Sequence, residues 1–106
     1  MYRSLSVEAN RALVRATLKM LESDAVLEET SSRDWASVTF TGARHKMALR
    51  IEGPDAGERA DRFCNRLDAA EFELRGHVVA DIVLAAREEI PEGIRLRIEA
   101  LTVEDA

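Results

Sequence analysis

The sequence contains a single cysteine, Cys64, and few aromatic residues. One cysteine excludes an intrachain disulfide and any cysteine-rich metal site. Aromatic residues make up 5% of the chain, and only Trp35 is expected to point outward from a predicted strand, which disfavours a sheet that stacks RNA bases. No apolar run approaches the roughly 20 residues of a transmembrane helix, and the first ten residues lack the apolar core of a signal peptide. We therefore expect a cytoplasmic protein without membrane association.

Several catalytic and cofactor-binding patterns are also missing. The five glycines are scattered and none has the spacing that cradles phosphates, and no pair of histidines or cysteines has metal-ligand spacing. His77 and Asp81 would share one strand face at a separation of roughly 13 Å, too far apart for a histidine–carboxylate dyad. We expect His45 to be exposed beside a turn and Cys64 to pack as a small hydrophobe. The sequence thus predicts no catalytic residue, no metal, no cofactor and no enzymatic activity.

What the chain does contain is typical of one globular domain spanning residues 1–106. Its 106 residues suffice for one core, and its composition of 46% hydrophobic and 33% charged residues is that of a folded domain with a solvated surface. The net charge of −5 makes nucleic acid an unfavourable partner, because affinity for polyphosphates comes from cations that replace counterions.

Two segments have helical periodicity. From about residue 6 to 28, apolar residues recur at three- and four-residue spacing behind a candidate N-cap, Ser6. The second helix is predicted over about 54–68, where Asp55 and Glu58 have capping-box spacing. Both helices have an apolar face and a charged face, which predicts that each packs on a sheet.

Two other segments alternate with period two and predict β-hairpins. The first hairpin covers about 35–52, with a turn at Gly42-Ala43, and the second covers about 72–103, with a turn between Arg87 and Gly93. We interpret Gly76 as a bulge or a close approach inside the third strand. The order helix, strand, strand, helix, strand, strand predicts an α+β two-layer sandwich, with two helices on one face of a mostly antiparallel four-stranded sheet.

The uncovered face of such a sheet would carry many cations. The residues are Arg44, Lys46, Arg50, Arg95 and Arg97. One interpretation is a site for an anionic ligand or a nucleic acid. The other is cross-strand ion pairing on a solvated surface.

The same face would also carry apolar residues where water-facing alternation requires polar ones, namely Val79, Val83, Leu101 and Val103. Either the first helix covers them, or a bulge near Ala100 turns the last strand inward, or another chain binds them. We favour a second copy of this chain over a different, acidic protein partner. The sequence therefore predicts a small association domain that forms a homodimer, with anion binding as the alternative function.

Overall fold

The computed structural model describes residues 5–21 and 25–105, which form two helices and four strands. In chain order these are α1 (Leu5–Met20), β1 (Ala25–Ala36), β2 (Thr41–Glu52), α2 (Ala56–Leu67), β3 (His77–Ile90) and β4 (Gly93–Glu104). All neighbouring strands are antiparallel, and their order across the sheet is β1-β2-β4-β3. The predicted α+β two-layer fold and its αββαββ order are confirmed.

The core lies between the two helices and one face of the sheet. On the central strands β2 and β4, every second side chain points into it, as the period of two requires. Leu13 of α1 and Phe63 of α2 are buried against these strands. The helices run over different parts of the sheet, because α1 contacts β1 and β2 whereas α2 contacts β4, β2 and β3. Both described helices therefore lie on one side, and the other side of the sheet forms an open face.

The first helix ends earlier than its periodicity predicts. It stops at Met20, and β1 begins at Ala25, so the predicted extension to residue 28 is wrong. Leu27, which fits the helical spacing, is instead half-exposed in β1 opposite Leu49. The helical periodicity is a local pattern, whereas β1 is stabilised by pairing along β2. Only the tertiary structure supplies that partner strand, and its contribution outweighs the local preference.

The first hairpin turns at residues 37–40 and not at the predicted Gly42-Ala43. The segment from Glu28 to Asp34, which lies between the predicted first helix and the predicted first hairpin, belongs to strand β1. In the turn, the Ser37 hydroxyl accepts hydrogen bonds from the backbone amides of Thr39 and Phe40 at 3.3 and 3.0 Å. A serine turn of this kind needs neither glycine nor proline, and the glycine at position 42 therefore predicted the turn in the wrong place. Val38 is fully exposed at the tip of the first hairpin.

The second hairpin begins later and has a tighter turn than predicted. Strand β3 begins at His77 and continues to Ile90, and the turn consists of Pro91 and Glu92. Gly76 is not inside the strand. It adopts a positive φ of 78° in the turn that precedes β3. The irregularities of β3 lie between Val79 and Asp81 and between Leu84 and Ala86, where the register with β4 shifts.

The second helix agrees with the sequence except at its start. It spans Ala56–Leu67 within the predicted range of about 54–68. Asp55 occupies the N-cap position but makes no side-chain capping hydrogen bond, so the predicted capping box is not formed. The Asp55 carboxylate instead lies 3.6 Å from Arg59 one turn later.

Gly42 provides a test of the packing between β1, β2 and β4. A Cβ at this position would lie 2.0 Å from the Thr102 carbonyl oxygen and 2.9 Å from Trp35 Nε1. We expect Gly42→Ala to lower the free energy of unfolding by about 1–3 kcal/mol through overpacking. The matched control is Gly57→Ala in α2, where a Cβ meets nothing within 4 Å and helix propensity predicts a gain of about 0.5 kcal/mol. Urea unfolding measures both, and equal stabilities of the two variants would contradict the predicted packing.

Candidate functional site

The open face of the sheet is the candidate functional site, and it has two distinct ends. The alternation along β2 and β4 places Arg44, Lys46 and Arg50 on this face opposite Leu101, Glu99 and Arg95, respectively. Near the start of β2 and the end of β4 the face carries apolar side chains and charges that have no ion-pair partner among the described residues. Near the β3–β4 turn it carries a connected set of ion pairs. The two ends of the open face therefore differ in chemistry.

The ion pairs join all four strands, and we call them the ion-pair cluster. Glu28 of β1 lies 2.6 Å from Arg95 Nε and 3.0 Å from Arg50 Nη1. Glu88 of β3 lies 2.8 Å from Arg97 Nε and 3.5 Å from Arg95 Nη1. Further carboxylates complete the cluster, with Glu29 at 2.9 Å from Arg97 and Glu52 at 2.9 Å from Arg50. A small residue, Ala48, lies among these long side chains and is 2% exposed although it belongs to the open face.

The cluster changes the acidity of its carboxyl groups. Hydrogen bonds from Arg95, with its positive charge and that of Arg50, lower the pKa of Glu28 below the ordinary 4.5 despite the opposing effect of desolvation. The hydrogen bond from Arg97 lowers the pKa of Glu88 in the same way. Both carboxylates are thus charged at neutral pH and hold their arginines in place.

This arrangement divides the five cations predicted to bind an anionic ligand. Arg50, Arg95 and Arg97 are bound by carboxylates in the cluster, which is the cross-strand pairing considered as the alternative. Arg44 and Lys46 lie at the other end of the face, both exposed, and neither forms an ion pair within residues 5–21 and 25–105. Arg33 of β1, which the sequence analysis missed, is paired in register with Arg44 and is also exposed. These three residues form a cationic strip on β1 and β2.

Three of the four residues predicted to form an apolar interface lie on the open face. Val83 is on the open face and 45% exposed, and Leu101 and Val103 share that face with partial exposure. Val79 points inward, opposite the buried Thr102, and packs on the core, so its predicted place on the open face is wrong.

Val78, which is 51% exposed and pairs with Val103, takes the place predicted for Val79. The reason is the bulge between Val79 and Asp81, which shifts the alternation of β3 by one residue. Strand β4 pairs with β2 without a register shift, so the predicted inward turn near Ala100 does not occur. We call Val78, Val83, Leu101 and Val103 the apolar strip, which lies on β3 and β4.

Two acidic residues lie within the apolar strip. Asp81 pairs in register with Leu101, and Glu99 pairs with Val83. Both are exposed, and neither carboxylate is ion-paired in the described part of the chain. The open face away from the ion-pair cluster therefore has a cationic half on β1 and β2 and an apolar, acidic half on β4 and β3.

A second polar group of residues lies on the opposite side of the sheet, beneath α1. His45, predicted to be exposed, is 1% exposed, and this expectation is wrong. Its Nδ1 lies 2.9 Å from Asn10 Oδ1 of α1, and its Nε2 lies 2.8 Å from Thr102 Oγ1 of β4. Asn10 Nδ2 donates to Thr30 Oγ1 of β1 at 2.9 Å. The imidazole and Asn10 together thus connect α1 with β1 and β4, the strands on the two sides of β2.

These contacts define the state of His45. The Asn10 carbonyl oxygen can only accept, so Nδ1 carries the proton and Nε2 of the neutral ring accepts from the Thr102 hydroxyl. Burial lowers the pKa of His45 below the ordinary 6.5, and electrostatic repulsion from His77 acts in the same direction. His45 is therefore a neutral structural residue at pH 7.

The other potentially reactive side chains considered in the described part of the chain are His77, Asp81 and Cys64. His77 lies opposite Glu104 and Asp81 lies opposite Leu101, and these positions alternate to different sides of β4. Burial raises the pKa of the Cys64 thiol, which keeps it protonated, although Arg87 opposes this effect. Within residues 5–21 and 25–105, no three histidine, cysteine, aspartate or glutamate side chains converge as a metal site would require.

A cavity of about 350 Å³ lies where α1 begins, lined by residues that include Trp35, Thr41, His77 and Glu104. The Thr41 hydroxyl donates to Glu104 Oε2 at 2.6 Å. Trp35 Nε1 and His77 Nδ1 are buried without a hydrogen-bond partner among the described residues.

Comparison with known proteins provides no relative for this chain: no protein-family model, no curated protein and no solved structure matches it. Among the described residues, no helix is both long enough and apolar enough to cross a bilayer.

Glu28 allows a test of the ion-pair cluster. We expect Glu28→Gln to lower the melting temperature by a few degrees at pH 7, because Arg50 and Arg95 lose their shared carboxylate. A lowered carboxyl pKa contributes stability above pH 4.5 that is lost as the pH falls through the folded-state value. The difference from wild type should therefore shrink below pH 4.5. Glu89→Gln, an exposed neighbour outside the cluster, is the charge-matched control, and an equal effect of both substitutions would contradict this role.

His45 predicts a separate dependence on pH. Because its folded-state pKa is lowered, the unfolded chain binds the proton more tightly, and stability falls as the pH drops below 6.5. We expect the free energy of unfolding to decrease by about 1 kcal/mol between pH 7 and 5.5. Urea titrations at both pH values measure it. The decrease should vanish in His45→Gln and persist in His77→Gln, and the reverse pattern would contradict the assignment.

Proposed function

We propose that this chain is a small association domain whose open face binds a second copy of itself. The observation that carries the proposal is an apolar strip that neither described helix covers. Val78 and Val83 are about half exposed on the open face of the edge strand β3, at positions where solvated strands carry polar side chains. Contact with another chain would remove this strip from water.

The distribution of charge favours an identical partner. A homodimer with twofold symmetry uses the same surface on both copies, so that surface must be complementary to itself. The open face meets this condition, because Arg33, Arg44 and Lys46 lie on one half and Asp81 and Glu99 lie on the other. An acidic protein partner would match the cationic half only and would be repelled by the acidic half.

Binding of an anionic ligand is the second candidate, and it is supported less well. Arg50, Arg95 and Arg97 already have carboxylate partners, which leaves Arg44, Lys46 and Arg33 as the available cations. Ligand binding through these three residues would weaken steeply with added salt. The net charge of −5 continues to make nucleic acid an unfavourable partner.

A cytoplasmic location is part of the proposal. It is supported by the single cysteine, Cys64, which is free and partly buried. Proteins that fold in oxidising compartments commonly use paired cysteines to stabilise small domains. This chain has a core built from both helices and the sheet and uses no such pair.

The proposal is tested by the solution mass of the wild type and Val83→Glu, measured by light scattering at low and moderate salt. We expect the wild type to have close to twice the 11.8 kDa mass of one chain and Val83→Glu to be a folded monomer, because the substitution places a charge inside the contact. Far-UV circular dichroism checks that the variant is folded.

Val38→Glu is the matched control, because Val38 is fully exposed at the tip of the first hairpin and not on the open face. This variant should remain dimeric. A monomeric wild type across the accessible concentration range would overturn the proposal. So would a folded Val83→Glu that stays dimeric.

A further inference from the structure

We infer that the two copies of the proposed dimer are related by a twofold axis that runs parallel to the strands and passes between β2 and β4. This inference rests on the proposed function and specifies which residues meet. It follows from the positions of the charged side chains across the sheet. Sheets that pack face to face keep their strand directions roughly aligned, so only a few orientations of the axis need to be compared.

Side chains on the open face form rows that cross the sheet in the order β1-β2-β4-β3. One row contains Arg33, Arg44, Leu101 and Asp81, and the next contains Ser31, Lys46, Glu99 and Val83. In both rows the positive charges lie on β1 or β2, and the negative charges lie on β4 or β3. The sign of the charge therefore changes at the boundary between β2 and β4.

An axis along this boundary places β1 over β3 of the second copy and β2 over β4 of the second copy. Each row then lies over the same row of the second copy. Arg33 then lies over Asp81 of the second copy, and Lys46 lies over Glu99 of the second copy. The aliphatic part of Arg44 covers Leu101 of the second copy. Each contact occurs twice by symmetry, so four ion pairs form between the two copies. Leu101 and Val103 lie beside the axis.

An axis perpendicular to the strands gives the opposite result. It places β2 over β2 and β4 over β4, so Arg44 approaches Lys46 of the second copy and Leu101 approaches Glu99 of the second copy. Like charges and unmatched acids would then meet at the centre of the contact, which is unfavourable. The distribution of unpaired charge thus selects the axis parallel to the strands.

The ion-pair cluster explains where the contact should be centred. Under the parallel axis, Arg50 would approach Arg95 of the second copy, but both arginines already have carboxylate partners in their own chain. The cluster therefore gains nothing from the second copy and is expected to form a wet, polar rim. The centre of the contact lies at the other end of the face, around Leu101.

Arg33 and Asp81 provide the test, because they lie on the two edge strands of the sheet and are separated within one chain by β2 and β4. They can meet only between copies. We expect Arg33→Asp and Asp81→Arg each to raise the dissociation constant of the dimer by about tenfold or more, because each substitution creates two contacts between like charges. Sedimentation velocity over a concentration series measures the constants.

The combined variant, Arg33→Asp with Asp81→Arg, should regain a dissociation constant close to that of the wild type. An equimolar mixture of the two single variants should also form heterodimers, because opposite charges then meet at both contacts. Circular dichroism and melting temperatures of all variants establish that each remains folded. Restoration in the combined variant and in the mixture is the expected result.

Failure of this inference is distinguishable from failure of the proposed function. If the wild type is dimeric and Val83→Glu dissociates it, but the charge reversals neither weaken nor restore the dimer, the axis is wrong and the association function stands. If the wild type is monomeric, both proposals are overturned. Weakening by both single variants without restoration in the combined variant also overturns the predicted axis.

Discussion

The uninterrupted pairing of β2 with β4 is the constraint on which the rest of this structure depends. Residues 42–52 pair with residues 93–103 without a register shift, so the side of the sheet on which each side chain lies is fixed along both central strands. One side receives Leu49, Ile51, Leu96 and Ile98, which are fully or almost fully buried under the helices. The other side receives Arg44, Arg50, Arg95 and Arg97 and becomes the open face.

The edge strands are irregular, and their irregularities decide the chemistry of the open face. A bulge in β1 lies next to Glu28, and both Glu28 and Glu29 reach arginines of that face. A bulge in β3 turns Val79 inward and leaves Val78 outward. Bulges in edge strands are a common protection against unwanted edge-to-edge pairing. The contact that we propose accordingly uses the open face and not the edge of the sheet.

The two sides of the sheet use polar residues for different purposes. Beneath α1, both ring nitrogens of the neutral His45 have hydrogen-bond partners, Asn10 and Thr102, which avoids the cost of an unpaired buried charge. On the open face, the ion-pair cluster neutralises Arg50, Arg95 and Arg97 within one chain. Arg33, Arg44, Lys46, Asp81 and Glu99 are left with charges whose counterparts are not in their own chain's described residues. This contrast distinguishes the cluster, whose charges are paired within one chain, from the remaining charges, which we assign to the proposed contact between copies.

The sequence by itself determined the number, type and order of the elements and the inward face of the central strands, because periods of 2 and 3.6 depend on local backbone geometry. It predicted the place of Val83, Leu101 and Val103 on the open face for the same reason. It misplaced the first turn, because the turn is stabilised by Ser37 and not by a glycine. It also misplaced the end of α1, because the residues that follow the helix pair with β2 and carry no helix-stop residue. Both errors concern the boundaries of elements, which in the folded protein are determined by pairing between strands.

Only the tertiary structure decided the strand order, the inward orientation of Val79, the burial of His45 and the partners of the arginines. Each depends on contacts between segments far apart in the chain. Glu28 and Arg95, for example, are 67 residues apart in sequence and meet because β1 and β4 both flank β2. No local pattern contains that information, because it arises when the two hairpins join at their β2 and β4 edges.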